Sequence, residues 1–196
     1  MCYNIIGDNM TTGYELTTAI TNIIIFLVSI YCLLKAKKDW KLFYILMAID
    51  SFLGAIVHGI KMSITINNIL WVILSILFAI TINTLLQIFM HIKTKYSIFL
   101  SIAIITILLI QLFLDMNFII TFISYVGIIF LLIIYYILKN NYKNKYYFLT
   151  GIIIQIIGGI PLFIKFELNY LNHNGICHLF TVITLILFYI GIQKEN

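Results

Sequence analysis

Charge is what this chain most lacks. Only 10% of its 196 residues are Asp, Glu, Lys or Arg, where a soluble domain uses about 25%. The chain therefore cannot clothe a soluble core. Arginine is missing altogether, and the 12 basic side chains other than histidine are all lysines. With the excess of Ile and Asn, this reads as compositional bias and carries no chemistry. Cysteine is scarce: Cys2, Cys32 and Cys177 are odd in number and widely spaced, which excludes a disulfide framework or a thiolate zinc motif. Apolar/polar alternation is missing from runs such as Ile102–Leu114, so the strands of a membrane barrel are excluded. Nothing resembles a phosphate-binding loop, a coiled coil or a nucleic-acid motif, and the net charge of +5 is scattered over short loops, so no nucleic-acid partner is expected.

What is present is apolar sequence, 63% of the chain, in stretches of about 20 residues that match a ~30 Å hydrocarbon core. The expectation is an all-α membrane protein, a single domain over residues 1–196 with seven transmembrane helices. The spans run from Glu15 to Leu34, Leu42 to Ile60, Ile69 to Ile92, Ser97 to Leu114, Phe118 to Leu138, Tyr146 to Ile164 and Asn174 to Ile192. A tight turn at Asp115-Met116-Asn117 divides the fourth from the fifth, since a continuous helix there would be about 40 residues, too long for one crossing.

Lysines set the orientation. Ten of the 12 (Lys35, Lys37, Lys38, Lys41, Lys93, Lys95, Lys139, Lys143, Lys145 and Lys194) fall on one side of the seven-span arrangement, and only Lys61 and Lys165 on the other. Lysine-rich loops stay in the cytoplasm, so the N-terminus is expected outside and the C-terminus inside, in the cell membrane. Trp40 and Trp71, near span ends, read as interfacial anchors. Gly158, Gly159 and Pro161 read as a break in the sixth span near its outer end.

Few polar groups lie inside the spans. Asp50 is near the middle of the second, where an ionisable group is costly and marks a candidate functional site. Ser51 follows it, and His58 is about 12 Å further along by helical rise. At the start of the last span, Asn174 and His178 are four apart and share a face, with His173 at the loop or cap. Counted from span midpoints, His58 and His178 lie within about 3 Å of the same depth. Two roles remain open for them: imidazoles that hold a metal, or interfacial histidines partnered by headgroups and backbone. Asp50 is equally open, as an acid/base or as a protonated, hydrogen-bonded structural group.

Seven spans, the run Asp-Ser-Phe-Leu-Gly-Ala-Ile-Val-His ending at His58, and the opening Asn-His-Asn-Gly-Ile-Cys-His-Leu-Phe of the last span resemble the CREST superfamily. These are seven-helix membrane hydrolases, relatives of alkaline ceramidases and of progestin/adiponectin receptors. The resemblance implies zinc held by His58 and His178, with Asn174 in the third position; an amide is a poor zinc ligand, so either His173 swings in or the metal has been lost. It implies catalytic roles for Asp50 and Ser51, although their spacings do not match the family's. The chain departs from the family pattern at two places. Asn174 stands where the last-span motif has its first histidine, and Gly54 stands where a serine precedes the span-two histidine. The resemblance implies zinc-dependent hydrolysis of a lipid amide or ester. The alternative is a non-catalytic transporter, receptor or assembly subunit that takes a lipid or small-molecule ligand in the same cavity.

Overall fold

The computed structural model describes residues 15–91, 94–113, 118–141 and 143–194. It contains seven helices: α1 (Leu16–Lys35), α2 (Lys38–Gly59), α3 (Ile64–Met90), α4 (Thr94–Phe113), α5 (Phe118–Lys139), α6 (Lys145–Ile164) and α7 (His173–Gln193). Among the described residues there is no strand, only an isolated bridge between Leu168 and Leu171 in the α6–α7 connection. The Asp115–Asn117 turn lies outside the described residues. Among the described residues, five helices, α1, α2, α3, α6 and α7, are long and apolar enough to cross a membrane.

Helices begin at their caps and not where hydropathy rises. α3 starts five residues before the apolar run at Ile69, because the Ser63 hydroxyl accepts a hydrogen bond from the Ile66 N–H at 3.4 Å and so satisfies a free donor of the first turn. α2 starts four residues before its apolar run, with Asp39 in the first turn, where the helix dipole favours a negative charge. α6 continues through Gly158, Gly159 and Pro161 without interruption. The expected break is therefore absent, and Pro161 is accommodated in the last turn.

The helices form a ring in the order α1, α2, α3, α5, α6, α7, with α7 closing on α1 and α4 lying against α3 and α5. The core is aromatic at the lysine-rich end. Trp40 is 3% exposed and stacks on Phe148 at 5.7 Å between ring centroids, with Phe89 edge-on at 5.5 Å. Trp40 is thus a core residue and no surface anchor. The indole bridges α2, α3 and α6, which a view of one helix at a time cannot show.

Glycines bring α6 and α7 together. A Cβ at Gly151 would meet Phe188 at 2.7 Å, and one at Gly191 would meet Phe148 at 2.9 Å. A Cβ at Gly158 would collide with the Phe180 side chain near its root. That close approach also lets the Thr184 hydroxyl donate to the Gly151 carbonyl at 2.9 Å. Gly158→Leu is expected to destabilise the protein by about 1–3 kcal/mol through overpacking, whereas Gly159→Leu, at a position with open space, is expected to be near neutral. Thermal unfolding of the two purified variants compares them.

Candidate functional site

The antiparallel path places the start of α1, the end of α2, and the start of α7 at one end of the ring. Glu15 immediately precedes α1, where a negative charge complements the helix dipole. Its backbone N–H donates to the His58 carbonyl at 2.9 Å, so the chain entering α1 is tied to the last turn of α2. Asn172 caps α7, its Oδ1 accepting from the Gly175 N–H at 2.8 Å.

These three elements converge on one oxygen. Glu15 Oε2 accepts from Asn172 Nδ2 at 2.9 Å and from Asn174 Nδ2 at 3.0 Å, and it faces His58 Nδ1 at 3.3 Å. The Thr18 hydroxyl lies 2.8 Å from the same oxygen and 2.9 Å from Asn172 Oδ1. Its single proton serves one of them at a time. Burial alone would raise the Glu15 carboxyl. The hydrogen bonds from His58, Asn174 and Thr18 outweigh burial and hold it well below the ordinary 4.5.

His178 approaches from α7. Its Nδ1 is 3.0 Å from the Thr21 hydroxyl, which also lies 3.0 Å from the Thr18 carbonyl. With the hydroxyl proton directed to that carbonyl, Thr21 accepts from Nδ1–H. The same tautomer follows for His58, whose Nδ1 faces the carboxylate. These tautomers are assigned from the hydrogen-bond network. In both rings the remaining Nε2 then carries a lone pair. The two ring centroids are 6.5 Å apart, and Trp71 meets His58 edge-on at 5.4 Å. The backbones of α2 and α7 are not in contact; only side chains reach across the end of α1.

The other sequence-derived candidates sit elsewhere. The Ser51 hydroxyl is buried and donates within its own helix, to the Met47 carbonyl at 2.6 Å, and lies about 10 Å along α2 from His58 by helical rise. Asp50 is about 12 Å along the same helix, and its Oδ1 is buried without a hydrogen-bond partner among the described residues. His173 Nδ1 is turned toward Glu167 at 3.4 Å. Asn174 is spent on Glu15. Sequence reasoning missed Glu15 and Thr21 and gave Thr18 and Asn172 no role in the site, though it noted Thr18 as a polar group in the first span and the stretch from Asn172 to His178 as able to face His58. The depth count that pairs His58 with His178 also puts Glu15 at their end of the bundle. A span-by-span search passed over it because Glu15 lies at the edge of a run instead of inside one.

Zinc at a catalytic site takes three protein ligands. His58 and His178 offer two free imidazole nitrogens, but no group of three or more His, Cys, Asp or Glu side chains able to hold a metal occurs among the described residues. The described residues thus fall one ligand short of the zinc set that the resemblance implies.

A family model matches residues 17–196, nearly the whole chain. The chain belongs to DUF6962, a family of unknown function. No curated protein and no solved structure matches it. For this DUF6962 chain, then, the cluster itself is the guide to chemistry: a carboxylate beside one imidazole and a hydroxyl beside another.

Because the Glu15 carboxyl is depressed, its contribution to stability is complete above 4.5 and is lost as pH falls from there toward the lower folded value. Glu15→Gln is expected to cost about 1–3 kcal/mol, the range for losing charged hydrogen bonds. It is also expected to flatten the acid limb of the stability–pH curve, measured by thermal unfolding between pH 3 and 7.

Proposed function

We propose that this chain is an integral membrane protein that crosses the bilayer seven times, with its N-terminus outside and its C-terminus in the cytoplasm. Support comes from the five long apolar helices and from large apolar side chains on the ring's exterior, such as Leu27, Leu131, Ile153 and Phe163, each half exposed or more. The lysine bias adds to it. The polar cluster then lies near the outer surface of the membrane. A C-terminal green fluorescent protein fusion is expected to fluoresce and a C-terminal alkaline phosphatase fusion to be inactive; the opposite pattern reverses the orientation.

Within that frame, the cluster is read as a hydrolytic site for a lipid amide or ester, in a divergent relative of the CREST superfamily. The observation that carries the reading is the pair His58 and His178, each with Nδ1 against a partner, an arrangement that leaves the lone pair on Nε2. A carboxylate-oriented imidazole is a general base. In this role His58 Nε2 would take a proton from the water attacking the lipid carbonyl, Glu15 would stabilise the resulting imidazolium, and the imidazolium would return the proton to the amine or alcohol as its C–N or C–O bond breaks. Substrate would enter sideways from the leaflet, where a lipid already resides.

One observation favours the second reading, a non-catalytic ligand-binding protein. Asn174, at the position of a family histidine, is committed to the Glu15 carboxylate. The two readings separate on release of fatty acid from lipid amides and esters by the purified protein. His58→Ala is expected to lower the rate by about 10²–10⁴-fold, the range for loss of a general base. Release that is no greater in the parent protein than in His58→Ala leaves the binding reading. Asn174→His adds a third imidazole, and stoichiometric zinc in that variant, by elemental analysis, would mark the end of the bundle as a scaffold of the zinc type.

A further inference from the structure

The polar cluster leaves unexplained a concavity on the outside of the bundle, toward its lysine-rich end. Phe26, Ile30 and Leu33 of α1 and Ile45, Ala48, Ile49, Phe52 and Leu53 of α2 line a groove of about 310 Å³, without a polar atom in its wall. Ala48, the smallest of these side chains, supplies the hollow. At one end the groove is closed by Phe26 against Phe52, with ring centroids 5.5 Å apart. The wall from Ile45 to Leu53 covers about 12 Å by helical rise, most of the depth of one leaflet of a ~30 Å hydrocarbon core.

Charge lies at the open end, on the same stripe. Lys38, Lys41, Ile45, Ala48, Ile49 and Phe52 follow one another at spacings of three, four, three, one and three, the pattern of a single helix face. Lys38 and Lys41 are exposed and have no hydrogen bond or ion pair with the described residues. Asp39 lies about a quarter turn off this stripe. An apolar slot of leaflet depth that ends at two unpartnered ammonium groups matches the two halves of one amphiphile.

We propose that the α1–α2 groove is a binding site for an anionic phospholipid, one acyl chain lying against Ala48 and the phosphate held by Lys38 and Lys41. The site rests on the membrane placement proposed above and is independent of the His58–His178 cluster. Lysines near an anionic lipid surface contribute about 1 kcal/mol each, about fivefold in affinity per lysine.

Native mass spectrometry of the detergent-purified protein, titrated with phosphatidylglycerol or with phosphatidylcholine of identical chains, tests it. One phosphatidylglycerol is expected to remain bound at concentrations where phosphatidylcholine does not. Lys38→Ser with Lys41→Ser is expected to weaken it by about 25-fold, and Ile49→Trp, which fills the slot from an exposed position, to weaken it as well. Lys139→Ser with Lys145→Ser should leave it unchanged. Equal retention of both lipids, or equal loss in the two lysine pairs, overturns the site. So does full retention in Ile49→Trp with an unchanged unfolding midpoint. Failure of the membrane placement shows separately, as release of the protein from membranes by alkaline carbonate without detergent.

Discussion

One carboxylate oxygen organises the polar end of the bundle. Glu15 Oε2 collects donors from the end of α2 and the start of α7 while its own backbone N–H binds α2. An acid left unpartnered in such a place would be costly. Satisfied from several sides, it stays ionised, and hydrogen bonds to a charged acceptor are stronger than neutral ones. The position also suits the charge, since the starts of α1 and α7 turn positive dipole ends toward it and the end of α2 turns a negative end toward His58. The order of dependence runs outward from there. Glu15 fixes His58, the helix that carries Glu15 carries Thr18 and Thr21, and Thr21 fixes His178. The backbones of α2 and α7 are not in contact, so α1 is the part that makes the pair.

At the opposite end, the constraint is volume. Trp40, Phe89, Phe148 and Phe188 fill the space among α2, α3, α6 and α7, and the glycines of α6 and α7 let that aromatic set close. Directional hydrogen bonds at one end and dense ring packing at the other divide the work. The polar end sets which side chains face each other, and the aromatic end holds the helices at the separation that geometry requires. A loss of packing around Phe180 or Phe188 would therefore move α7, and His178 with it, although both rings are remote from the Glu15 carboxylate.

Much of this was legible in the sequence and some of it was not. The seven helices follow from apolar runs and short lysine-rich connections, because a helix is a local object and its apolar stretch is written in order. Their ends were misplaced at α2 and α3, since Lys38, Asp39 and Asn67 are polar yet helical, and hydropathy does not see a cap such as Ser63. The pairing of His58 with His178 was accessible because depth along antiparallel helices can be counted. Its supports were not. Whether Asn174 faces a metal or a carboxylate depends on which helix stands between α2 and α7, and that is a property of the ring order. Trp40 shows the same limit, for only the arrangement of four helices tells a core indole from an interfacial one.

Asp50 is the instructive case. Its place in the middle of an apolar run made it the first candidate, yet the acid of the cluster is Glu15 at the edge of one. Mid-run position measures the cost of an unpartnered charge and says nothing of where the partners are. Donors gather where helix caps, loop amides and hydroxyls occur, which is at the ends. Four of the groups around Glu15 (Thr18, Asn172, Asn174 and the last turn of α2) are end features, and Asp50 has none within its own turn. Its buried Oδ1, without a partner among the described residues, is compatible with folding if the carboxyl is neutral, because a protonated acid is far less costly to bury than its anion. The two acids thus divide by environment: the one at the helix ends is met by several donors, and the buried Oδ1 of the one in the middle meets none among the described residues.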